Sequence, residues 1–251
     1  MAKIIQNVHK LETVLVSDFC RFLMVLKGFV YFKQANYRKA QDLYEGSLRV
    51  REQTLGLQHP DTARSLHELG ELHQKLGDLE KAETYLQQAL QIREQVFGSN
   101  HADVARALQS LALLYLSQAK YDMAENYFKR ALGILETVLG KSHSKVAECF
   151  HNLAKLYYKE GKYDRSETFY KKALELQEQI LGKDHVDTAS TVCDLAYLNA
   201  SQAHYTKSVE LYQRAWKTLE AAFGDHPEVA QVKSSLAWVY FKQVNSIEFV
   251  F

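Results

Sequence analysis

The sequence predicts an all-α fold, a right-handed superhelix (α-solenoid) of helix-turn-helix repeats, and three observations carry that expectation. Gly56, Gly98, Gly140, Gly182 and Gly224 recur at a constant step of 42 residues, each followed within a few positions by a His. A fixed period of roughly 20–50 residues marks a chain built from stacked copies of one supersecondary unit. Within each period, apolar and small residues fall three and four apart in two successive stretches, so each stretch buries one helical stripe. Finally, only two prolines occur in 251 residues, Pro60 and Pro227, and both lie just after a repeat junction.

The elements follow in order. Residues 1–17 read as the closing helix of an upstream or shortened repeat, with Ile4, Ile5, Val8, Leu11 and Leu15 on one face; LETVL at 11–15 recurs at 135–139, where it closes a repeat. A new helix is expected from Asp18, a good N-cap type. The apolar run FCRFLMVLKGFVYF at 19–32 is interrupted by Arg21 and Lys27. It is shorter than the ~20 apolar residues a spanning helix needs, and reads as a buried helix of a soluble fold. The array is expected to cover 18–243 as five full repeats, at about 18–57, 58–99, 100–141, 142–183 and 184–224, and a half repeat at 225–243.

The second repeat shows the pattern most openly. In PDTARSLHELGELHQKLGDLEKAETYLQQALQIREQVF, Leu66, Leu69, Gly70 and His73 form one stripe, and Leu79, Ala82, Leu86 and Ala89 form the next. Gly77 separates them and predicts a tight turn. The third repeat places Leu108, Leu111, Ala112 and Tyr115, then Tyr121, Ala124, Phe128 and Ala131 at the same positions; the fourth places Phe150, Leu153, Ala154, Tyr157, Tyr163, Ser166, Tyr170 and Ala173. Small residues at fixed offsets let paired helices approach, and large ones opposite fill the space. The last repeat opens with VKSSLAWVYFKQ at 232–243, after which VNSIEFVF at 244–251 lacks the pattern and reads as an atypical tail. Solenoids end in polar caps, so these apolar ends predict self-association as one route to cover them.

This alternation of small and large residues resembles the tetratricopeptide repeat (TPR), across about residues 18–243. The 42-residue period with LGLQHPDTAR at a junction is similar to the repeats of kinesin light chains and nephrocystin-type proteins. The resemblance implies a non-catalytic protein-protein interaction module, a scaffold or cargo adaptor binding extended peptides in a concave groove. It further implies a cytoplasmic chain associated with the cytoskeleton. The alternative is a structural scaffold that assembles a larger complex through its convex face or open ends.

In that architecture the first helices line the groove. Their inward register selects Arg64, His67, Arg106, Gln109, His151, Asn152, Lys155, Tyr158, Lys159, Asp194, Tyr197 and Trp238 as candidate peptide-binding residues. Amides, charges of both signs and aromatics in one register suit an extended peptide, its backbone held by polar groups and its side chains by the rings. Kinesin light chains carry Asn-Asn ahead of Leu-Ala in several repeats; here only Asn152, in HNLA, matches, so a different peptide specificity is expected.

Other functions are disfavoured. Lys+Arg at 31 against Asp+Glu at 30 supplies no concentrated basic surface for nucleic acid. Cys20, Cys149 and Cys193 form no CxxC pair and read as reduced intracellular thiols. The junction histidines, one per repeat, supply too few ligands for a metal. They are read as loop residues, and the glycines before them as helix stops requiring positive φ. No glycine-rich phosphate loop, HExxH or GxSxG is present, and no cofactor or catalytic residue is expected.

Overall fold

The computed structural model describes residues 23–248, all helices and short connections. The expected N-terminal helix at 1–17 and the last three residues of the expected tail lie outside the described residues. The chain forms two compact units, one reaching to Leu114 and the other starting at Tyr115.

The first unit contains α1 (residues 23–33), α2 (Tyr37–Leu55), α3 (Pro60–Leu76), α4 (Leu79–Phe97) and most of α5 (Ala102–Ser117). The second contains the end of α5, then α6 (Tyr121–Leu139), α7 (Ser144–Lys159), α8 (Tyr163–Ile180), α9 (Val186–Ser201), α10 (Tyr205–Phe223) and α11 (Pro227–Glu248). Inside each unit consecutive helices pack on one another, α2 on α3 and α3 on α4 in the first, α6 through α11 in the second. This is the packing of a helical-hairpin solenoid. α11 runs on through residues 244–248, which the sequence reading set apart as tail. VNSIE contains neither Gly nor Pro to stop it.

The small-large alternation becomes contact geometry. A Cβ added to Gly28 would lie 2.6 Å from the Tyr44 ring, and one added to Gly70 would lie 2.6 Å from Leu86 Cγ. Helix backbones here are as close as the opposing side chain permits. Tyr44 is buried with Ala40, Leu69 and Leu72; in the second unit Tyr170 packs with Ala154, Leu195 and Leu198, and Tyr212 with Ala196 and Ala215.

Two connections alternate. Within each repeat one left-handed residue ends the first helix: Ala35 (φ 56°), Gly77 (81°), Ala119 (56°), Gly161 (82°) and Ala203 (61°). The next N–H then reaches back to the carbonyl five residues earlier, as Asp78 to His73 at 2.9 Å and Lys162 to Tyr157 at 2.8 Å. That is the Schellman closure, which satisfies carbonyls a helix end would leave unpaired. Between repeats the five junction glycines all have positive φ, from 59° to 93°, as their role in stopping each second helix requires.

The junction histidines do more than fill loops. Nδ1 of His59, His101, His143 and His185 each accepts the backbone N–H two residues on, all at 3.1 Å, and His226 does so at 3.3 Å. Each imidazole therefore caps the following first helix, where Ser, Thr, Asp or Asn is the usual choice. Asp61, Asp103 and Asp187 sit in the first turns behind these caps, where a negative charge meets the positive helix end.

Candidate functional site

In the second unit, α7 and α9 bring seven of the predicted residues into one neighbourhood. His151 Nε2 lies 2.7 Å from Asp194 Oδ2, and Lys155 Nζ reaches the same oxygen at 3.4 Å. About two turns further along, Tyr158 Oη and Ser201 Oγ are 3.0 Å apart. The Tyr158 and Tyr197 rings meet at 5.5 Å between centroids. Both polar pairs join residues 43 apart, because α7 and α9 occupy the same place in successive repeats. Asn152 is half-buried beside them, and Lys159 is exposed on the last turn of α7. Tyr197 is 50% exposed, so its ring is available.

The electrostatics follow from this packing. Burial pushes the Asp194 carboxyl upward, but the His151 hydrogen bond and the Lys155 charge outweigh it and hold the group below the usual aspartate range. Asp194 is thus an ionised pivot between two basic side chains. Burial raises the Tyr158 hydroxyl, which stays a neutral donor or acceptor. Trp238, on α11 in the same unit, is 46% exposed with Lys242 Nζ 5.6 Å from its ring centroid.

The first unit departs from the sequence reading. His67 and Gln109 are buried, not open to a groove. Arg93 Nη1, which can only donate, lies 3.3 Å from His67 Nδ1, so this nitrogen accepts and the ring proton sits on Nε2. Nε2 faces Glu71 Oε1 at 3.2 Å and Ser110 Oγ at 3.3 Å. Burial lowers the His67 pKa, in keeping with a neutral ring. The His67–Ser110 contact again spans 43 residues: the same side-chain ladder is formed, but beneath the surface. Arg64 and Arg106 remain exposed, paired with Glu68 at 3.1 Å and Asp103 at 2.9 Å.

Sequence reasoning missed Arg51 and Arg93. Both are buried, and each donates from the end of a second helix to a first-turn carbonyl of the next, Arg51 to Asp61 O at 3.0 Å and Arg93 to Asp103 O at 3.4 Å. The signal was present: VREQTLG at 50–56 recurs as IREQVFG at 92–98.

The arrangement offers hydrogen-bonding and stacking surface and little reactive chemistry. Among the described residues no group of three or more His, Cys, Asp or Glu side chains could hold a metal ion. Burial, then the Asp194 and Glu228 charges, push the Cys193 thiol up to about 12, which leaves it protonated at neutral pH. No helix among the described residues is long and apolar enough to cross a membrane.

Comparisons with known proteins agree with this fold. Comparison with curated sequences gave no match. Among solved structures, BtubC (BKLC) from P. vanneervenii is similar at 24% identity and a TM-score of 0.72, over 88% of each chain. A protein of Podosopora anserina with nearly identical, kinesin light chain TPR-like repeats is similar at 19% identity and a TM-score of 0.66, over 80% of this chain and 96% of that one. The Rap conjugation gene regulator of plasmid pLS20, in complex with the Phr* peptide, is similar at 15% identity and a TM-score of 0.69, over 85% of this chain and 56% of that one. The family model described as tetratricopeptide repeat matches residues 21–95, 65–137 and 145–221. With matches over most of its length and hairpins closed at every described repeat, the chain belongs to the tetratricopeptide repeat family.

Proposed function

We propose that this chain is a non-catalytic scaffold or cargo adaptor that binds extended peptide segments along its first helices. The observation that carries the reading is the α7–α9 surface. Tyr197 stands half-exposed against Tyr158, beside Lys155, Lys159 and the Asn152 amide, with Asp194 holding His151 and Lys155 in place. Rigid aromatics supply apolar anchoring at low entropic cost, and amide and charged groups take a peptide backbone and its acidic or basic side chains. A fold that in the Rap regulator accompanies a peptide is compatible with that use. Cytoplasmic residence near the cytoskeleton belongs to the same proposal, on the likeness to kinesin light chain-like repeats.

The test is affinity capture with the wild-type chain and a variant carrying Asn152→Ala, Lys155→Glu and Lys159→Glu, after both are shown to melt alike. Partners lost only from the variant are the expected result. Identical partner lists would remove the α7–α9 surface from the binding site.

A second reading rests on α11, where Trp238, Tyr240, Phe241 and Val244 are exposed, Phe241 at 62%. Such a concentration of exposed apolar side chains suits assembly with another protein surface. If assembly through this face is the function, Phe241→Asp abolishes partner capture or self-association in sedimentation, while the α7–α9 variant retains it.

A further inference from the structure

The first unit contains an open cavity of about 300 Å³ whose charge is unbalanced. Lys33, Arg64, Arg93 and Arg106 line it, against two carboxylates, Glu68 and Glu71. Glu71 is engaged by His67 at 3.2 Å, and Glu68 by Arg64 at 3.1 Å through Oε1, its Oε2 being buried without a partner. Asp103, just outside the lining, pairs with Arg106 at 2.9 Å, which leaves one positive charge in excess.

Arg93 localises the excess. Its side chain comes from α4 and is only 2% exposed. Nη1 is spent on His67 Nδ1 and on the Asp103 carbonyl, whereas Nη2 is buried without a hydrogen-bond partner. A buried cationic N–H with no acceptor forfeits its hydration without return. Burial, and then the like charge of Arg106, lower the Arg93 pKa to about 10, so it stays charged at neutral pH. Two guanidiniums that line one cavity and repel each other are relieved by an anion placed there. Phe29 and Phe32 line the same cavity and offer apolar surface to the stem that carries the charge.

We propose that this cavity is a subsite for a phosphorylated side chain of a partner peptide, the phosphoryl oxygens accepting from Arg93 Nη2, Arg106 and Lys33. A phosphoryl monoester near neutral pH carries close to two negative charges and three strong acceptor oxygens, which match the three donors spread around the cavity; a carboxylate offers two oxygens and one charge. The assignment deepens the peptide-binding reading and rests on it for the nature of the ligand.

The experiment titrates the full chain with phenyl phosphate and with benzoate at fixed ionic strength, by isothermal titration calorimetry. Phenyl phosphate is expected to bind with a Kd on the order of 1 mM, as suits so small a ligand, and benzoate at least about tenfold more weakly. Arg106→Gln is expected to weaken phenyl phosphate about tenfold or more, the worth of one charge-assisted hydrogen bond. Lys33→Gln, at an exposed position, provides a second variant if Arg106→Gln does not fold. Equal binding of the two anions, or a Kd unchanged in both variants, overturns the proposal. The probe contains no peptide, so a failed titration leaves the α7–α9 groove reading standing. Phenyl phosphate bound by a chain whose groove variant loses no partners overturns that reading instead.

Discussion

Alanine at position 70 should destabilise the protein by about 2 kcal/mol, although alanine is the better helix former. In an exposed helix interior, Gly→Ala gains up to about 1 kcal/mol. At Gly70 the new methyl would lie 2.6 Å from Leu86 Cγ, 2.8 Å from Leu86 Cδ2 and 3.3 Å from the Ala82 carbonyl. Ordinary contact begins near 3.5 Å, so Leu86 must retreat by close to 1 Å. Its branch carbon moves only if χ1 leaves its staggered well or the helix shifts, and the side chain is wholly buried. Overpacking of this kind costs about 1–3 kcal/mol, and the severity of the contact points to the upper end, leaving about 2 kcal/mol net. The control is Gly133→Ala in the interior of α6, where an added Cβ meets nothing within 4 Å; it should stabilise by about 0.5–1 kcal/mol. Urea unfolding followed by circular dichroism reads both. Leu86→Val should recover part of the Gly70→Ala loss in the double variant by opening room. A Gly70→Ala protein as stable as wild type, or a Gly133→Ala protein destabilised to the same degree, would refute the reasoning.

Two further outcomes are expected. Ala203→Gly should raise stability by up to about 1 kcal/mol, because Ala203 is held at φ 61°, where an L side chain is strained and glycine is not; thermal melts of the two proteins decide it, and a lowered midpoint refutes it. Asp194 should make stability pH-dependent on the acid side. Its folded pKa lies below the unfolded value near 4, so its contribution is complete above that value and is lost as pH falls through the lower folded one. Melts of wild type and Asp194→Asn across about pH 2–6 should therefore converge at the acid end; a constant difference refutes the linkage.

The hairpin architecture was legible because its determinants are local. Gly70 against Leu86 and Ala154 against Tyr170 are fixed offsets within one repeat, and a junction glycine announces its positive φ by position alone. The groove was legible in register but not in depth. The spacing that placed His67 and His151 on one stripe could not show that Arg93 covers His67 from another helix, whereas His151 stays near the surface beside Asp194. Arg93 is 26 residues from His67, outside the 43-residue step that links the first helices. The histidine caps were missed for a different reason: an imidazole Nδ1 that accepts a backbone N–H departs from the usual Ser, Thr, Asp and Asn preference, and only the backbone geometry reveals it.

The contacts that complete the side-chain ladder have a consequence for the nascent chain. Arg51 and Asp61 are separated by ten residues, and a loop of that length closes within about 10–100 ns, so this junction sets as soon as it leaves the ribosome. The rungs His151–Asp194 and Tyr158–Ser201 must wait for 43 more residues. At about 5–20 residues per second that delay is roughly 2–9 s. During translation the α7–α8 hairpin therefore presents unfinished rungs, with Tyr158 bare of its hydroxyl partner, long enough for a chaperone or an early partner to find it before the next repeat arrives.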